Sequence, residues 1–351
     1  LGQGFPDFDC DPNLVDAVTE AMRKGFNQYP PMTGIAPLRD AISAKVEALY
    51  GRRYDPAAEI TVTAGATQAI ITAVLALVKP GDEAIVLEPC YDSYVPNIEL
   101  AGGTVVRVPL TPGSFRPDFA RIAAALTPRT RAIIINSPHN PSGTVWTREE
   151  MLQLQDLLAP TDVFVISDEV YEHMVFDGQV HQSAASFPGL AARALIVSSF
   201  GKTYHVTGWK IGYVAAPAAL TAEFRKVHQF NVFTVNTPMQ YGFASYMASP
   251  RPYLELPAFY QRKRDLFRAG LAQTRLKLLP SEGTYFQCVD ISQVSDLQEA
   301  EFCQWLTREI GVAAIPLSAF YGSGFDQRVV RFCFAKKDET LRSALDRLAQ
   351  L

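Results

Sequence analysis

The chain has 351 residues, of which 48% are hydrophobic and 19% are charged, and this composition excludes a disordered protein. The formal net charge of −4 gives no electrostatic reason to expect binding to nucleic acid or to an acidic membrane. The length accommodates two domains, and no apolar run is long enough for a membrane span.

The five cysteines are scattered along the chain and form no CxxC pair. This pattern is typical of reduced thiols rather than of disulfides or a zinc site. We therefore expect a cytoplasmic protein without a bound metal.

The first 50 residues predict a loop marked by glycine and proline, followed by two amphipathic helices. Apolar residues recur every three or four positions from Leu14 to Met22 and from Leu38 to Leu49, where Gly51 ends the pattern. We expect residues 1–28 to form an N-terminal segment that packs with a smaller C-terminal domain.

From about residue 59 to 235, short apolar runs alternate with helical segments. The runs predicted to be strands are 60–63, 83–87, 103–108, 132–136, 162–167, 194–197 and 211–216. Continuous apolar strands separated by helices indicate a mostly parallel sheet that is buried on both faces. We therefore predict a three-layer α/β/α large domain over residues 29–244.

After about residue 244 the pattern changes to α+β, and we predict a small domain over residues 245–351. Its predicted helices are 253–273, 297–310 and 339–350. Its predicted strands are 283–289 and 329–334.

Polar groups follow several of the predicted strands, where open α/β sheets bind ligands. The small-residue turn at 63–67 leads into a helix, whose amides would hold a phosphate, although such turns commonly only cap a helix. Asn140 follows the predicted strand 132–136 and is a potential hydrogen-bond donor. Asp168 follows the predicted strand 162–167, either as a helix N-cap or as a partner for a ring nitrogen.

The loop at 198–217 carries Lys202 and Lys210 between two apolar runs. A desolvated lysine there would be an amine nucleophile, whereas a surface loop would leave both lysines solvated. A lysine for a Schiff base, an aspartate for a pyridinium nitrogen and a helix N-terminus for a phosphate are together what pyridoxal 5'-phosphate requires.

Eight motifs extend this set over nearly the whole chain: GQGFPD at 2–7, NQY at 27–29, TVTAGA at 61–66, PCYDSY at 89–94, SPHNPSG at 137–143, SDEVY at 167–171, SFGK at 199–202 and RFCF at 331–334. With them the sequence resembles the class I/II aminotransferases of pyridoxal-phosphate fold type I, the aspartate aminotransferase-like fold. Within this family it is most similar to the bacterial methionine aminotransferase and kynurenine aminotransferase (glutamine transaminase K) group.

The resemblance implies roles at the cofactor ring. Lys202 would bind the cofactor covalently and move the α-proton, and Asp168 would keep the pyridine nitrogen protonated. Asn140 and Tyr171 would hydrogen-bond the ring's 3-oxygen, and Tyr91 would stack on the ring face.

It also implies roles at the phosphate and the substrate. The residues implied to contact the phosphate are Gly65, Ala66, Thr67, Ser199 and Lys210, together with Tyr29 from the second subunit of a homodimer. Arg331 would bind the substrate α-carboxylate beside Gly4 and Asn140. Side-chain pocket walls are expected from Phe5, Tyr29, Phe233 and Tyr321.

Two departures from aspartate aminotransferases bear on the substrate. Lys210 stands where those enzymes have an arginine, and Tyr91 stands where they stack a tryptophan. No counterpart of their second, side-chain-binding arginine is evident. We therefore expect amino donors with apolar, aromatic or neutral side chains, such as methionine, phenylalanine, tyrosine, kynurenine or glutamine.

Three functions are compatible with these sequence features. The first is a ping-pong transaminase acting on an amino acid and a 2-oxo acid. The second is a cysteine-conjugate C–S β-lyase with the same apparatus. The third, the sensor half of a transcription regulator, is disfavoured because the chain shows no helix-turn-helix extension and no basic arm.

Overall fold

The computed structural model describes residues 1–351 and contains two sheets. The strands are β1 (Ile60–Thr63), β2 (Glu83–Glu88), β3 (Thr104–Pro109), β4 (Thr130–Asn136), β5 (Phe164–Asp168), β6 (Ala194–Ser199), β7 (Gly212–Ala215), β8 (Lys277–Leu278), β9 (Phe286–Asp290), β10 (Ile315–Pro316) and β11 (Val329–Cys333). The larger sheet has the order β1-β7-β6-β5-β4-β2-β3. Its neighbours pair in parallel except that β7 runs antiparallel to both β6 and β1.

Helices cover both faces of this sheet, and others pack against the smaller one. They are α1 (Pro12–Arg23), α2 (Ala36–Tyr50), α3 (Gly65–Leu77), α4 (Tyr94–Leu100), α5 (Phe119–Ala125), α6 (Arg148–Leu158), α7 (Pro188–Ala191), α8 (Phe200–Thr203), α9 (Ala218–Asn231), α10 (Thr237–Tyr246), α11 (Arg251–Leu254), α12 (Leu256–Leu271), α13 (Glu299–Trp305) and α14 (Asp338–Leu348). None of them is both long and apolar enough to cross a membrane.

The central strands are buried on both faces because their side chains alternate between two apolar clusters. In β4, Ile133 and Ile135 belong to one cluster, while Ala132 and Ile134 belong to the cluster on the opposite face. This alternation explains the uninterrupted apolar runs in the sequence. The predicted α/β/α layering with a mostly parallel sheet is confirmed.

The smaller sheet has the order β10-β11-β9-β8 and is antiparallel throughout. It packs against α12 and α14 around a third apolar cluster, to which Phe267, Phe332 and Leu341 belong. This arrangement confirms the predicted α+β character of the C-terminal part.

The N-terminal residues contact both halves of the molecule. The Leu1 carbonyl accepts a hydrogen bond from the Cys333 amide of β11, and Lys336 donates to the Gln3 carbonyl. Helix α1, in contrast, packs against α10. The domain division at residues 28/29 and 244/245 stays a prediction.

Several element bounds differ from the predictions for local reasons. The predicted helix 253–273 is divided into α11 and α12, and Pro257, which lacks an amide proton, lies at the start of α12. The predicted strand 283–289 begins only at Phe286, because Thr284 has a φ of 65° and interrupts the extended backbone. Helix α13 continues as a π-helical turn, Leu306–Ile310.

Candidate active site

A cavity of about 480 Å³ lies at the carboxyl ends of β4, β5 and β6. These strand ends place Asn136, Asp168 and Ser199 in its wall, and the smaller sheet contributes Phe286 and Arg331. The site therefore lies where a mostly parallel sheet is expected to bind a ligand, and residues of the second sheet line another part of its wall.

Asp168 is buried at the end of β5, where its carboxylate accepts two hydrogen bonds. Oδ2 accepts from the Tyr94 hydroxyl at 2.7 Å, and Oδ1 accepts from the Val170 amide at 3.2 Å. Burial raises the pKa of Asp168 to about 6, although these two hydrogen bonds and the nearby Lys202 ammonium act to lower it. No helix begins at this strand end, so the N-cap interpretation is wrong. With a pKa of about 6, the Asp168 carboxylate is mostly ionised at neutral pH.

Lys202 lies in the single turn α8, directly after β6, and lines the cavity. Its Nζ donates to the Tyr285 hydroxyl at 3.0 Å and to the Gly4 carbonyl at 3.4 Å. Burial lowers the pKa of Lys202 to about 8, although Cys333 and Asp168 act to raise it. The interpretation as a solvated surface lysine is wrong, because this amine is held inside the protein.

The N-terminus of helix α3 lines the cavity, and no side chain caps it. Gly65 adopts a φ of +77°, and a Cβ built there would lie 3.5 Å from Lys210 Nζ. The Thr63 hydroxyl donates to the Gly65 carbonyl and caps no amide. Because the first-turn amides of a helix lack intrahelical partners, this end and the Lys210 ammonium form a site suited to an anion.

Arg331 extends from β11 into the opposite side of the cavity. One Nη donates to Asn140 Oδ1 at 2.6 Å, whereas the buried Nε has no partner in the protein. The guanidinium lies 4.0 Å from the centroid of the Phe286 ring and 4.9 Å from that of Phe320. A buried guanidinium with a free edge matches a carboxylate.

The cavity brings together twelve of the predicted site residues: Gly4, Gly65, Ala66, Thr67, Tyr91, Asn140, Asp168, Tyr171, Ser199, Lys202, Lys210 and Arg331. Tyr171 is buried, and burial raises the pKa of its hydroxyl, which therefore remains a hydrogen-bond donor.

The remaining predicted residues lie elsewhere in the chain. Tyr29 is 81% exposed and contacts Phe233 edge to face. Phe5 is half-exposed, and its carbonyl accepts from Lys336. Tyr321 is buried, and its hydroxyl accepts a hydrogen bond from a neighbouring glutamine. None of these four lines the cavity of a single chain.

Sequence reasoning missed several residues that define the site. Asn136 pairs in register with Asp168 across β4 and β5 and binds its carbonyl, and the strand-end rule could have found it. Tyr94 and Tyr285 had no such signal, since they lie 74 and 83 residues from the side chains they bind.

The donor set fits pyridoxal 5'-phosphate. Lys202 supplies an amine of lowered pKa, Asp168 a buried carboxylate, and the start of α3 with Lys210 an anion site. Tyr91 adds an aromatic wall, and the unpaired Nε of Arg331 adds a place for a substrate carboxylate.

Comparison with known proteins gives a consistent result. A family profile for aminotransferase class I and II matches residues 1–348. Methionine aminotransferase of Escherichia coli is 53% identical over 352 residues, covering 100% of this chain and 91% of that protein. A probable N-succinyldiaminopimelate aminotransferase of Mycobacterium tuberculosis is 42% identical, covering 100% and 91%. Human kynurenine–oxoglutarate transaminase 1 is 36% identical, covering 99% and 91%.

The fold agrees with the same group of proteins. A solved Escherichia coli structure with a methionine aminotransferase function superposes with a TM-score of 0.99 at 53% identity. The match covers 100% of this chain and 93% of that one.

Proposed function

Since the chain belongs to the class I and II aminotransferases, and is therefore a pyridoxal-phosphate-dependent transaminase, we propose which amino acids it uses. The donors are L-amino acids with apolar, aromatic or neutral side chains, and the acceptor is a 2-oxo acid. Methionine is the first candidate, followed by phenylalanine, tyrosine, kynurenine and glutamine. In this ping-pong cycle the donor leaves as its 2-oxo acid before the acceptor binds.

This proposal rests on the charged side chains that line the cavity. Its cationic side chains are Lys202, Lys210 and Arg331, and each has a separate task at the cofactor or the α-carboxylate. An acidic substrate side chain would find no further cation among the residues that line the cavity, which also include Asp92. Burying an unpaired carboxylate is costly, so dicarboxylic donors are disfavoured.

Lys202 is the proposed base. The bound cofactor supplies an electron-withdrawing ring that stabilises the negative charge left on the substrate Cα. Because the pKa of Lys202 is lowered to about 8, a useful fraction of the amine is neutral near pH 7 and can accept the Cα proton and return it.

The other side chains around the ring hold it and set its charge. The Asp168 carboxylate, itself fixed by Tyr94, would accept a hydrogen bond from the ring nitrogen and keep that nitrogen protonated. Asn140 and Tyr171 would donate to the ring's 3-oxygen, and Tyr91 would stack against the ring face. The amides at the start of α3, with Ser199 and Lys210, would bind the phosphate.

Arg331 binds the α-carboxylate of every substrate. Its guanidinium is fixed by Asn140 and by the faces of two phenylalanine rings, so it does not need to be ordered when substrate binds. This arrangement selects α-amino acids as a class and leaves the side chain to the rest of the pocket.

The proposal extends to a cytoplasmic homodimer with shared sites. Tyr29 is 81% exposed, and Phe230 and Phe233, at 90% and 42%, are exposed as well. Large aromatic side chains exposed together are typical of an interaction surface. From this surface Tyr29 would reach the phosphate site of the second chain.

A screen of amino donors tests the substrate class. Each amino acid is mixed with the purified holoenzyme without oxo acid, and loss of the visible absorbance of the bound cofactor is followed by stopped flow. We expect methionine and the aromatic amino acids to react faster than aspartate and glutamate. A preference for aspartate or glutamate would contradict the proposal.

The same experiment separates a C–S β-lyase from a transaminase. A β-lyase expels a thiol from Cβ, so a cysteine conjugate would give pyruvate and ammonia without an added oxo acid. We expect the conjugate instead to leave its amino group on the enzyme. Sustained release of ammonia would favour the lyase.

A further inference from the structure

Tyr285 forms a hydrogen-bonded link between the proposed base and the N-terminal segment. It is fully buried just before β9, and its hydroxyl lies 3.0 Å from Lys202 Nζ and 2.6 Å from the Gly4 carbonyl oxygen. Its ring packs edge to face against Tyr171, with 5.2 Å between the ring centroids. The hydroxyl is therefore held by both its ring and its hydrogen bonds.

The Gly4 carbonyl determines which way the hydroxyl proton points. A carbonyl oxygen only accepts hydrogen bonds, so the proton in the 2.6 Å contact comes from Tyr285. The Tyr285 oxygen then faces Lys202 with its lone pairs, and it accepts an N–H from the lysine. A lysine amine that donates to Tyr285 keeps its own lone pair directed elsewhere.

The close approach of Gly4 to the Phe286 ring favours a residue without a side chain. A Cβ at Gly4 would lie 3.0 Å from the Phe286 ring, which is tighter than an ordinary contact. Gly4 also lines the cavity. The carbonyl that orients Tyr285 thus belongs to the segment that borders the substrate position.

Other charged and titratable groups near Lys202 come from several elements. Asp168 ends β5, Arg331 and Cys333 lie on β11, and Lys210 precedes β7. Tyr171, which follows β5, has its ring centroid 5.7 Å from Lys202 Nζ. None of these makes a hydrogen bond to Lys202 Nζ, whose partners within the protein are Tyr285 and Gly4. The direction of the amine is therefore set by these two acceptors.

We propose that Tyr285 is a positioning residue for the reaction, which accepts an N–H from Lys202 so that the amine lone pair remains available for the Cα proton of the substrate. The inference rests on the proposed role of Lys202 as the base. In this role the Tyr285 hydroxyl takes up no proton during the reaction. Its own proton stays in the hydrogen bond to the Gly4 carbonyl.

The test compares Tyr285→Phe with Tyr260→Phe. Tyr260 is an equally buried tyrosine of the same cluster, 5.7 Å from Tyr285 between ring centroids, and its hydroxyl has no partner. Both variants remove one hydroxyl from a buried ring, and only the first removes an acceptor from Lys202.

The first measurement does not depend on turnover. The full chain is freed of cofactor, and the rate at which it binds added pyridoxal phosphate covalently is followed from pH 6.5 to 9.5. Loss of an acceptor disfavours the ammonium form, so we expect Tyr285→Phe to move the midpoint down by about one pH unit. Tyr260→Phe should keep the wild-type midpoint, and equal midpoints in all three proteins would overturn the proposal.

The second measurement concerns the loaded enzyme with methionine and α-deuterated methionine. We expect kcat of Tyr285→Phe to fall by about tenfold or more, with KM within about threefold, because the base is misdirected while the carboxylate site is intact. The α-deuterium isotope effect on kcat should rise. If kcat and KM of Tyr285→Phe change only as much as those of Tyr260→Phe, the proposal is overturned.

The outcome separates this inference from the proposed function. A wild-type protein that fails to transaminate any amino acid contradicts the proposed function, whatever the variants do. If Tyr285→Phe does not fold, 3-fluorotyrosine at position 285 keeps the ring and hydroxyl but weakens the oxygen as an acceptor. Its loading midpoint should also move down, and an unchanged midpoint would overturn the proposal.

Discussion

Lys202 and Lys210 lie on one loop, but their surroundings separate them chemically. Lys202 Nζ is bound to the Tyr285 hydroxyl and lies near a carboxylate, whereas Lys210 has a left-handed φ of 54° and extends toward Gly65 at the start of α3. The first environment favours a reactive amine, and the second favours an ammonium that binds an anion. The difference follows from contacts distant in sequence.

The lowered pKa of Lys202 predicts how cofactor binding depends on pH. Below the pKa the amine is protonated and cannot attack the cofactor aldehyde, and above it the amine is neutral and reactive. The rate of covalent loading should therefore rise with pH through a midpoint near 8 and level off at higher pH. Loading that rises steadily beyond pH 10, as expected for a solvated lysine, would show that burial does not act on this amine.

At the residue scale, the sequence predicted groups that follow a strand better than groups that reach the site from elsewhere. Asp168 and Asn140 were identified from their place after apolar runs, and the cavity contains both. Tyr94 and Tyr285 were not predicted, because their hydroxyls meet Asp168 and Lys202 only through tertiary packing. No local pattern marks such a residue.

At the element scale, apolar runs located the strands of the large sheet to within a few residues, because the central strands are buried on both faces and are mostly apolar. The direction of β7 was not predictable from its run, since an apolar segment reads the same in both directions. Helices α9 and α10 were also not assigned from the sequence.

A buried ion pair joins α2, β6 and β7 to the turn that follows β5. Glu172 accepts from Lys45 of α2 at 2.6 Å, from Ser198 of β6 at 2.5 Å and from Tyr213 of β7 at 3.3 Å. Although burial acts to raise it, the Lys45 ammonium holds the pKa of Glu172 well below its usual value. Glu172 follows Tyr171 directly, so this pair fixes the segment that carries the site.

Breaking this pair should cost far more stability than breaking an exposed one. We expect Lys45→Met to lower the free energy of unfolding by about 3–5 kcal/mol, because a buried carboxylate loses its counter-charge. The matched control is Lys24→Met, which removes an exposed helix pair with Glu20 and should change stability by about 0.5 kcal/mol or less. Urea denaturation of both variants measures the difference, and equal losses would contradict it.

At the scale of the whole molecule, the active site depends on two sheets that the sequence separates. Asp168 and Lys202 come from the large sheet, while Arg331 comes from β11 of the small one. The sequence predicted strands of both sheets but not the cavity shape, because the relative placement of the two sheets is set by packing rather than by local pattern. For the same reason it did not predict which side chains would wall the substrate pocket.

The proposed dimer makes a prediction about mixed subunits. The purified chain should sediment at twice its 38.7 kDa. Lys202→Ala and Tyr29→Ala subunits, weak or inactive alone, should regain activity when they are dissociated and reassembled together, because one site of the mixed dimer then has both native residues. A mixture no more active than its separate components would contradict the sharing of Tyr29.

The most direct measurement is to reduce the holoenzyme with borohydride and locate the attached cofactor by peptide mass spectrometry. Lys202 and Lys210 lie in the same loop and both line the cavity, so the method chooses between two specific amines. We expect the added mass on Lys202 alone, and none in Lys202→Ala. Attachment to Lys210 or to any other lysine, or no attachment at all, would contradict the assignment of Lys202 as the catalytic amine.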